Sequence, residues 1–151
     1  MAAEYLANEV QNVSLNAPII FNASIPCTRG YVYHEDGTGI FILRGITTQC
    51  YATYQVTYNG NIAIPEGGTA APIAVAITVN GAERPTSRSI TSPTVAESYN
   101  NVTSTAIIKV PRGCCFTLAV ESVSAVTDDP TATPTQVISV QNSNFVINRI
   151  A

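Results

Sequence analysis

Pro72-Ile-Ala-Val-Ala-Ile-Thr-Val-Asn-Gly81 decides the fold class. Ile73, Val75, Ile77 and Val79 alternate with Ala74, Ala76, Thr78 and Asn80, a period of two that places the larger apolar side chains on one face of a pleated strand. Asn80-Gly81 then supplies the pair that best tolerates positive φ in a tight hairpin. Three further stretches repeat the pattern: Cys50-Tyr-Ala-Thr-Tyr-Gln-Val-Thr-Tyr-Asn-Gly60, Asn101-Val-Thr-Ser-Thr-Ala-Ile-Ile-Lys-Val-Pro111 and Cys114-Cys-Phe-Thr-Leu-Ala-Val-Glu-Ser-Val-Ser124. In the first of them Tyr54, Val56 and Tyr58 share a face against Gln55, Thr57 and Asn59. Gly60 reads either as half of an Asn59-Gly60 turn or, if the strand runs on through Asn61-Ile-Ala-Ile64, as a bulge or bend.

Outward from this core of strands the signals are shorter. Pro18 to Pro26 predicts a strand closed by proline at both ends, since proline has no amide hydrogen for a central ladder. Asn8 to Asn16 predicts a short strand or an adaptable arm, so residues 1–17 form an N-terminal arm or first short strand ahead of a domain spanning 18–151. Tyr31-Val-Tyr33 precedes a turn from His34 to Gly39, and Ile40-Phe-Ile-Leu43 is an apolar run stopped at Gly45. The chain is expected to return from the Asn80-Gly81 hairpin as a strand from Arg84 to Ile90, to loop from Thr91 to Asn101, and to finish in a strand over Asn144 to Ile150. Asp128 to Pro134 predicts an exposed loop, because too few residues follow to build another domain.

Composition limits the function classes. A chain of 151 residues suits one domain that buries roughly 70% of its extended surface without needing a metal or disulfide. Charged residues are 11% of it, against a usual quarter or so, while Ser and Thr together number 29, so the exterior is covered by neutral polar groups that are easily desolvated against a neighbour. That favours assembly. The seven basic residues, Arg29, Arg44, Arg84, Arg88, Lys109, Arg112 and Arg149, are scattered along the sequence with no cluster to neutralise phosphates, which argues against nucleic acid. The start, Met1-Ala-Ala-Glu-Tyr-Leu-Ala7, lacks the basic and apolar regions of a classical signal peptide, and no run reaches 18 apolar residues, so membrane insertion is not expected. Surface display would follow cell lysis or particle release.

Few residues invite chemistry. Cys27, Cys50, Cys114 and Cys115 lack the paired spacing of a zinc knuckle, and they read as buried thiols or as partners in a disulfide or intersubunit crosslink. In a regular strand Cys114 and Cys115 would face opposite ways, one filling the core and the other exposed. His34 stands beside Glu35 and Asp36, but Glu35-Asp-Gly-Thr-Gly39 is explained by a turn with solvated acids. Asp128 and Asp129 supply two carboxylates, too few for a calcium shell. Loops around Gly67-Gly68 and Asp128-Asp129 are the candidate ligand loops, with a surface glycan as the candidate ligand. Asn12-Val-Ser14, Asn22-Ala-Ser24 and Asn101-Val-Thr103 match the N-glycan acceptor pattern, which arises readily in such a composition. No nucleophile elbow, phosphate loop or zincin motif is present, so neither an enzyme, a cofactor nor a metal is expected.

The order Gly39-Ile-Phe-Ile-Leu43, Tyr54-Gln-Val-Thr-Tyr58, Ile73 to Gly81, Ala106-Ile-Ile-Lys-Val-Pro-Arg-Gly113 and Asn144-Phe-Val-Ile-Asn-Arg-Ile150 resembles the bacterial branch of the tumour-necrosis-factor and complement-globular-head jelly rolls. It is especially similar to terminal domains of collagen-like spore-surface glycoproteins, and phage decorations use similar modules. The resemblance covers about Pro18 to Ala151. It implies an all-β, ten-stranded antiparallel jelly-roll sandwich that assembles as a homotrimer. It places Tyr54, Tyr58, Phe145 and Ile147 in strands that form the core or the axial contact, with the parity open. The Gly-X-Y stalk that often precedes such heads is not in this sequence, which suits a free-standing particle component. The implied function is a non-enzymatic structural or decorative module on a bacterial spore or virion, in contact with neighbouring structural proteins; the alternative is a carbohydrate- or receptor-binding head that uses its strand-connecting loops.

Overall fold

The computed structural model describes residues 2–25, 30–125 and 137–151. Two antiparallel sheets of six strands each face one another across an apolar core. In chain order the strands are β1 (Ala2–Ala7), β2 (Gln11–Val13), β3 (Ala23–Ile25), β4 (Val32–His34), β5 (Phe41–Arg44) and β6 (Tyr51–Ala63). They continue with β7 (Ile73–Val79), β8 (Ala82–Glu83), β9 (Ser89–Thr91), β10 (Asn100–Pro111), β11 (Cys115–Val123) and β12 (Ile138–Arg149). The first sheet runs β10-β6-β12-β1-β3 with β2 also on β12, and the second runs β4-β5-β11-β7-β8 with β9 also on β7. Twelve strands among the described residues replace the ten expected, because two long strands each carry two short partners in tandem. Thus β1 and β2 share the length of β12, and β8 and β9 share β7. β1 and β2 weave residues 2–13 into the first sheet, Asn16 and Ala17 bond to Ser122 of the second, and Tyr5 of β1 lies in the core.

The four long segments form the strands their alternation predicts, and the differences lie where polar side chains or proline replace ladder bonds. Of the Pro18 to Pro26 segment, residues 18–25 are described, and no single strand spans them. Ile19 donates to the Val120 carbonyl on the second sheet, Phe21 donates to Thr38, and only Ala23–Ile25 pairs with β1 of the first. The segment crosses between the sheets, which lets Ile19 and Phe21 both bury completely. Arg84 to Ile90 is not one strand either: Pro85–Ser87 is a 3-10 turn, and the Ser87 hydroxyl takes the place of a ladder partner by accepting from the Ile77 amide at 2.9 Å. The turn at Asn80-Gly81 has φ of 52° and 80°, the signs of a primed hairpin. Asn80 Oδ1 accepts from the Thr117 amide at 3.0 Å, which pins that hairpin to β11.

Gly60 is neither a turn nor itself the bulge. β6 continues unbroken to Ala63, and the irregularity falls on its partner, where Gln141 pairs with Asn61 but Asn144 pairs with Asn59. Asn142 and Ser143 together oppose Gly60, one residue in excess, and Asn142 has φ 52°. β7 departs from simple alternation, since Ala74 and Ala76 are as buried as Ile73 and Val75 and form a second small cluster with Val123 on the far side of the sheet. Between the sheets Tyr5, Phe21, Phe41 and Phe145 make a chain of ring contacts with centroids 4.6 to 6.0 Å apart.

Candidate functional site

Alternation separates the two faces of the first sheet from Tyr51 to Ile62 of β6 and from Asn144 to Asn148 of β12. Ala52, Tyr54, Val56, Tyr58 and Ile62 of β6, with Phe145 and Ile147 of β12, point inward and are buried. All four residues singled out as core or axial contacts, Tyr54, Tyr58, Phe145 and Ile147, therefore pack within this chain. Tyr54 ties the sheets together: its hydroxyl donates to the Arg44 carbonyl at 2.6 Å, with the Tyr31 carbonyl sharing it at 3.1 Å. Arg149 lies over the Tyr31 ring at 4.4 Å, and its Nη2 donates to Ile46 at 2.9 Å. Burial pushes the Tyr58 hydroxyl up to about 12, an effect its hydrogen bond with Ser143 partly offsets.

The opposite face of the same strands is a lattice of amides and hydroxyls. Cross-strand pairing sets Asn101 against Asn61, Thr103 against Asn59, Thr105 against Thr57 and Ile107 against Gln55. Asn59 Oδ1 accepts from Asn101 Nδ2 at 2.9 Å and from the Thr103 hydroxyl at 3.1 Å, while Asn101 Nδ2 also reaches Asn61 Oδ1 at 3.2 Å. Thr105 donates to the Val56 carbonyl at 3.0 Å. Side chains locked in this way have already lost rotamer freedom, so covering them costs little further entropy. Lys109 and Glu4 carry the formal charges of the described residues on this face, and Glu4 accepts from Asn144 at 3.2 Å. The face ends at β10, a twelve-residue edge strand along which Ile107 is 47% exposed. Sequence reading fastened on the tyrosines and missed this lattice, although its members are the residues that alternate with them.

The remaining candidates do not converge. Gly67 and Gly68 line an open groove of 360 Å³ with Ile64, Pro65, Glu66 and Val137. Asp128, Asp129 and Cys27 fall outside the described residues. Cys50, Cys114 and Cys115 are free and exposed. Neither member of the 114–115 pair fills the core, because Cys114 lies in the turn before β11 and Cys115 takes the parity opposite to Phe116, Leu118 and Val120, which pack on the core. His34 belongs to the core rather than to a catalytic group: its side chain is fully buried, stacked on Phe41 at 4.3 Å and edge-on to Tyr5 at 4.9 Å. Glu35 and Asp36 are in the turn that follows. On the outer face of the second sheet, burial raises the Glu121 carboxyl above its ordinary value; a hydrogen bond from Thr78 lowers it and the charge of Glu83 raises it again. Among the described residues no three Cys, His or carboxylate side chains gather as a metal cage.

The arrangement defines an all-β jelly-roll sandwich of the kind found in tumour necrosis factor and complement C1q heads. No protein-family profile matches the sequence, and no curated protein matches it. Solved structures do. The globular domain of zebrafish complement 1qA superposes with a TM-score of 0.62 at 13% identity, over 99% of this chain and 97% of that one. Eiger TNF from S. frugiperda gives 0.63 at 15% identity, over 100% and 92%. Murine APRIL gives 0.52 at 10% identity, over 93% and 98%. At these identities the likeness establishes the fold.

Proposed function

We propose that this chain is a non-enzymatic structural module that assembles as a trimer through the Asn/Thr face of β6, β10 and β12, and decorates the surface of a bacterial spore or virion. The observation that carries the reading is the nearly uncharged, internally hydrogen-bonded outer face, bordered by a long edge strand. Such a surface can be covered without stranding charges or freezing flexible side chains. Because Tyr54, Tyr58, Phe145 and Ile147 are buried within the chain, the proposed contact uses the side chains that alternate with them. The jelly-roll likeness and the sequence resemblance to trimeric heads support the same assembly.

Mass by light scattering, measured with chelator and reductant present, tests the assembly; a trimer is expected, and a monomer at every working concentration overturns it. Detection of the chain in purified spores and virions tests the setting. Recognition of a surface glycan is the second reading, favoured by the groove beside Gly67 and Gly68. A specific soluble glycan complex, with the chain absent from both particles, would reverse the order.

A further inference from the structure

Three exposed thiols and two exposed arginines sit on or beside two turns that are tied together at one end of the sandwich. The turn after β5 and the turn between β10 and β11 are joined by Gly45 donating to Cys114 at 2.8 Å, Gly113 donating to Gly45 at 2.9 Å and Arg112 donating to Cys50 at 2.9 Å. Arg149 holds the first turn from below through Ile46. Cys115 is directly opposite Arg44 in the β11–β5 ladder, so the two side chains stand on the same face of the sheet. Arg44, Arg112 and all three cysteines are exposed. Neither Arg44-Gly-Ile-Thr-Thr-Gln-Cys-Tyr51 nor Lys109-Val-Pro-Arg-Gly-Cys-Cys115 contains a carboxylate to balance the cations. Basic residues that look scattered in the sequence are thus collected at the same end as three exposed thiols.

We propose that this end is a thiol–disulfide exchange site selective for negatively charged disulfides. The thiolate of Cys50, Cys114 or Cys115 attacks one sulfur of the incoming disulfide, forms a mixed disulfide with it and displaces the other half as a thiolate. The proton released when the cysteine ionised is taken up by that leaving thiolate, and the incoming disulfide is the oxidant, so no further electron acceptor is needed. Two copies of this end repel each other, which disfavours a direct crosslink between copies and favours an anionic partner. Like charges facing one another within a Debye length of about 8 Å are not screened out at physiological salt.

The test uses the full chain carrying Cys27→Ser, with glutathione disulfide as the anionic probe and cystamine as the cationic one. Adduct formation is followed by mass spectrometry, and each rate is divided by that of the same probe with N-acetylcysteine amide. The normalised preference for glutathione disulfide is expected to be about tenfold at low salt and to fall towards unity near 1 M, as steering by local charge does. Combined Arg44→Ala and Arg112→Ala, both at exposed positions, should abolish it while leaving cystamine labelling intact. Peptide mapping should place the adducts on the three cysteines. A normalised ratio at or below one, a preference that survives loss of both arginines, or labelling only after unfolding would each overturn the proposal.

Discussion

The Tyr58 hydroxyl meets Ser143 Oγ at 2.9 Å across the seam where β12 bulges against β6, directly beneath Gly60. A Cβ at position 60 would collide with the Tyr58 hydroxyl and come within 2.7 Å of Ser143 Oγ. Glycine at 60, the bulge at 142–143 and the buried hydroxyl pair are therefore one device. The bulge turns Ser143 inward, and the missing side chain leaves room for the hydrogen bond it makes.

Gly60→Ala should destabilise the fold by about 1–3 kcal/mol, the usual result of overpacking a filled core. Tyr58→Phe should cost about 1–2 kcal/mol, since it strands a buried Ser143 hydroxyl. Because both changes act on one hydrogen bond, the double variant should cost less than the sum of the two. Chemical denaturation of the three variants measures this, and simple additivity would separate Gly60 from the pair.

The same tyrosine predicts an alkaline limit. Its hydroxyl titrates near 12 in the fold against an ordinary 10.0, so the unfolded chain releases that proton first. Stability contributed by the neutral phenol is complete below pH 10 and falls as pH rises towards 12, by an amount on the order of 3 kcal/mol at the top of the window. Tyr58→Phe should lack this component. The difference in unfolding free energy between the two proteins should shrink or change sign between pH 10 and 12, and a constant difference would count against a buried neutral phenol.

What the sequence disclosed follows from the range of each signal. Alternation in β6, β7, β10 and the later part of β11 is local, and it placed those strands and the buried parity of Tyr54 and Tyr58 within reach. The positive-φ pair Asn80-Gly81 was equally local. The crossing of Ile19 and Phe21 between sheets was hidden, because Pro18 to Pro26 has strand-like composition and its hydrogen-bond partners lie about a hundred residues away in one case. The bulge opposite Gly60 was legible only as an oddity of glycine, since the extra residue sits in another strand. Arg112 stands two residues from Cys114 in the sequence, but the approach of Arg44 and Cys50 to that turn depends on the β5–β11 register and the bonds between the turns, which no spacing encodes.

Glu121→Gln should raise stability at neutral pH. Burial raises this carboxyl in the fold, so the folded state holds the proton more tightly than the unfolded chain, and stability falls as pH rises from the ordinary value through the raised one. Below that window the variant and the parent should melt together, and above it the variant should melt higher. Thermal melts at pH 3.5 and pH 7 supply the comparison; a variant that melts lower at pH 7 would show that the carboxylate is stabilising.

Geometry fixes the tautomer of the one histidine. Nε2 of His34 lies 2.9 Å from the Thr38 carbonyl, which only accepts, so the proton of the neutral ring is on Nε2. Nδ1 is buried without a hydrogen-bond partner and faces Asp36 Oδ1 at 3.9 Å. Nitrogen-15 shifts of the neutral ring should report a protonated Nε2 and a bare Nδ1, and the opposite pattern would mean that the 34–38 turn is differently closed in solution.

The proposed assembly and the folding can be tested separately on a single sheet, because β6 and β10 turn their buried side chains and the proposed contact face to opposite sides. Tyr54→Asp places a carboxylate among buried rings and removes the hydroxyl that joins Arg44 and Tyr31, so it should unfold the domain at a cost of about 3–5 kcal/mol. Ile107 lies on the outer side of β10, 47% exposed and paired with Gln55, so Ile107→Glu should leave the isolated domain folded. If the outer face is the subunit contact, that carboxylate loses water without gaining a partner, and a penalty of about 3 kcal/mol per copy weakens association by more than a hundredfold. The expected result is a folded monomer by light scattering, with the circular dichroism and melting cooperativity of a native β domain. A trimer that persists in Ile107→Glu would locate the subunit contact elsewhere on the sandwich, whereas loss of fold would show that Ile107 supports the sheet itself.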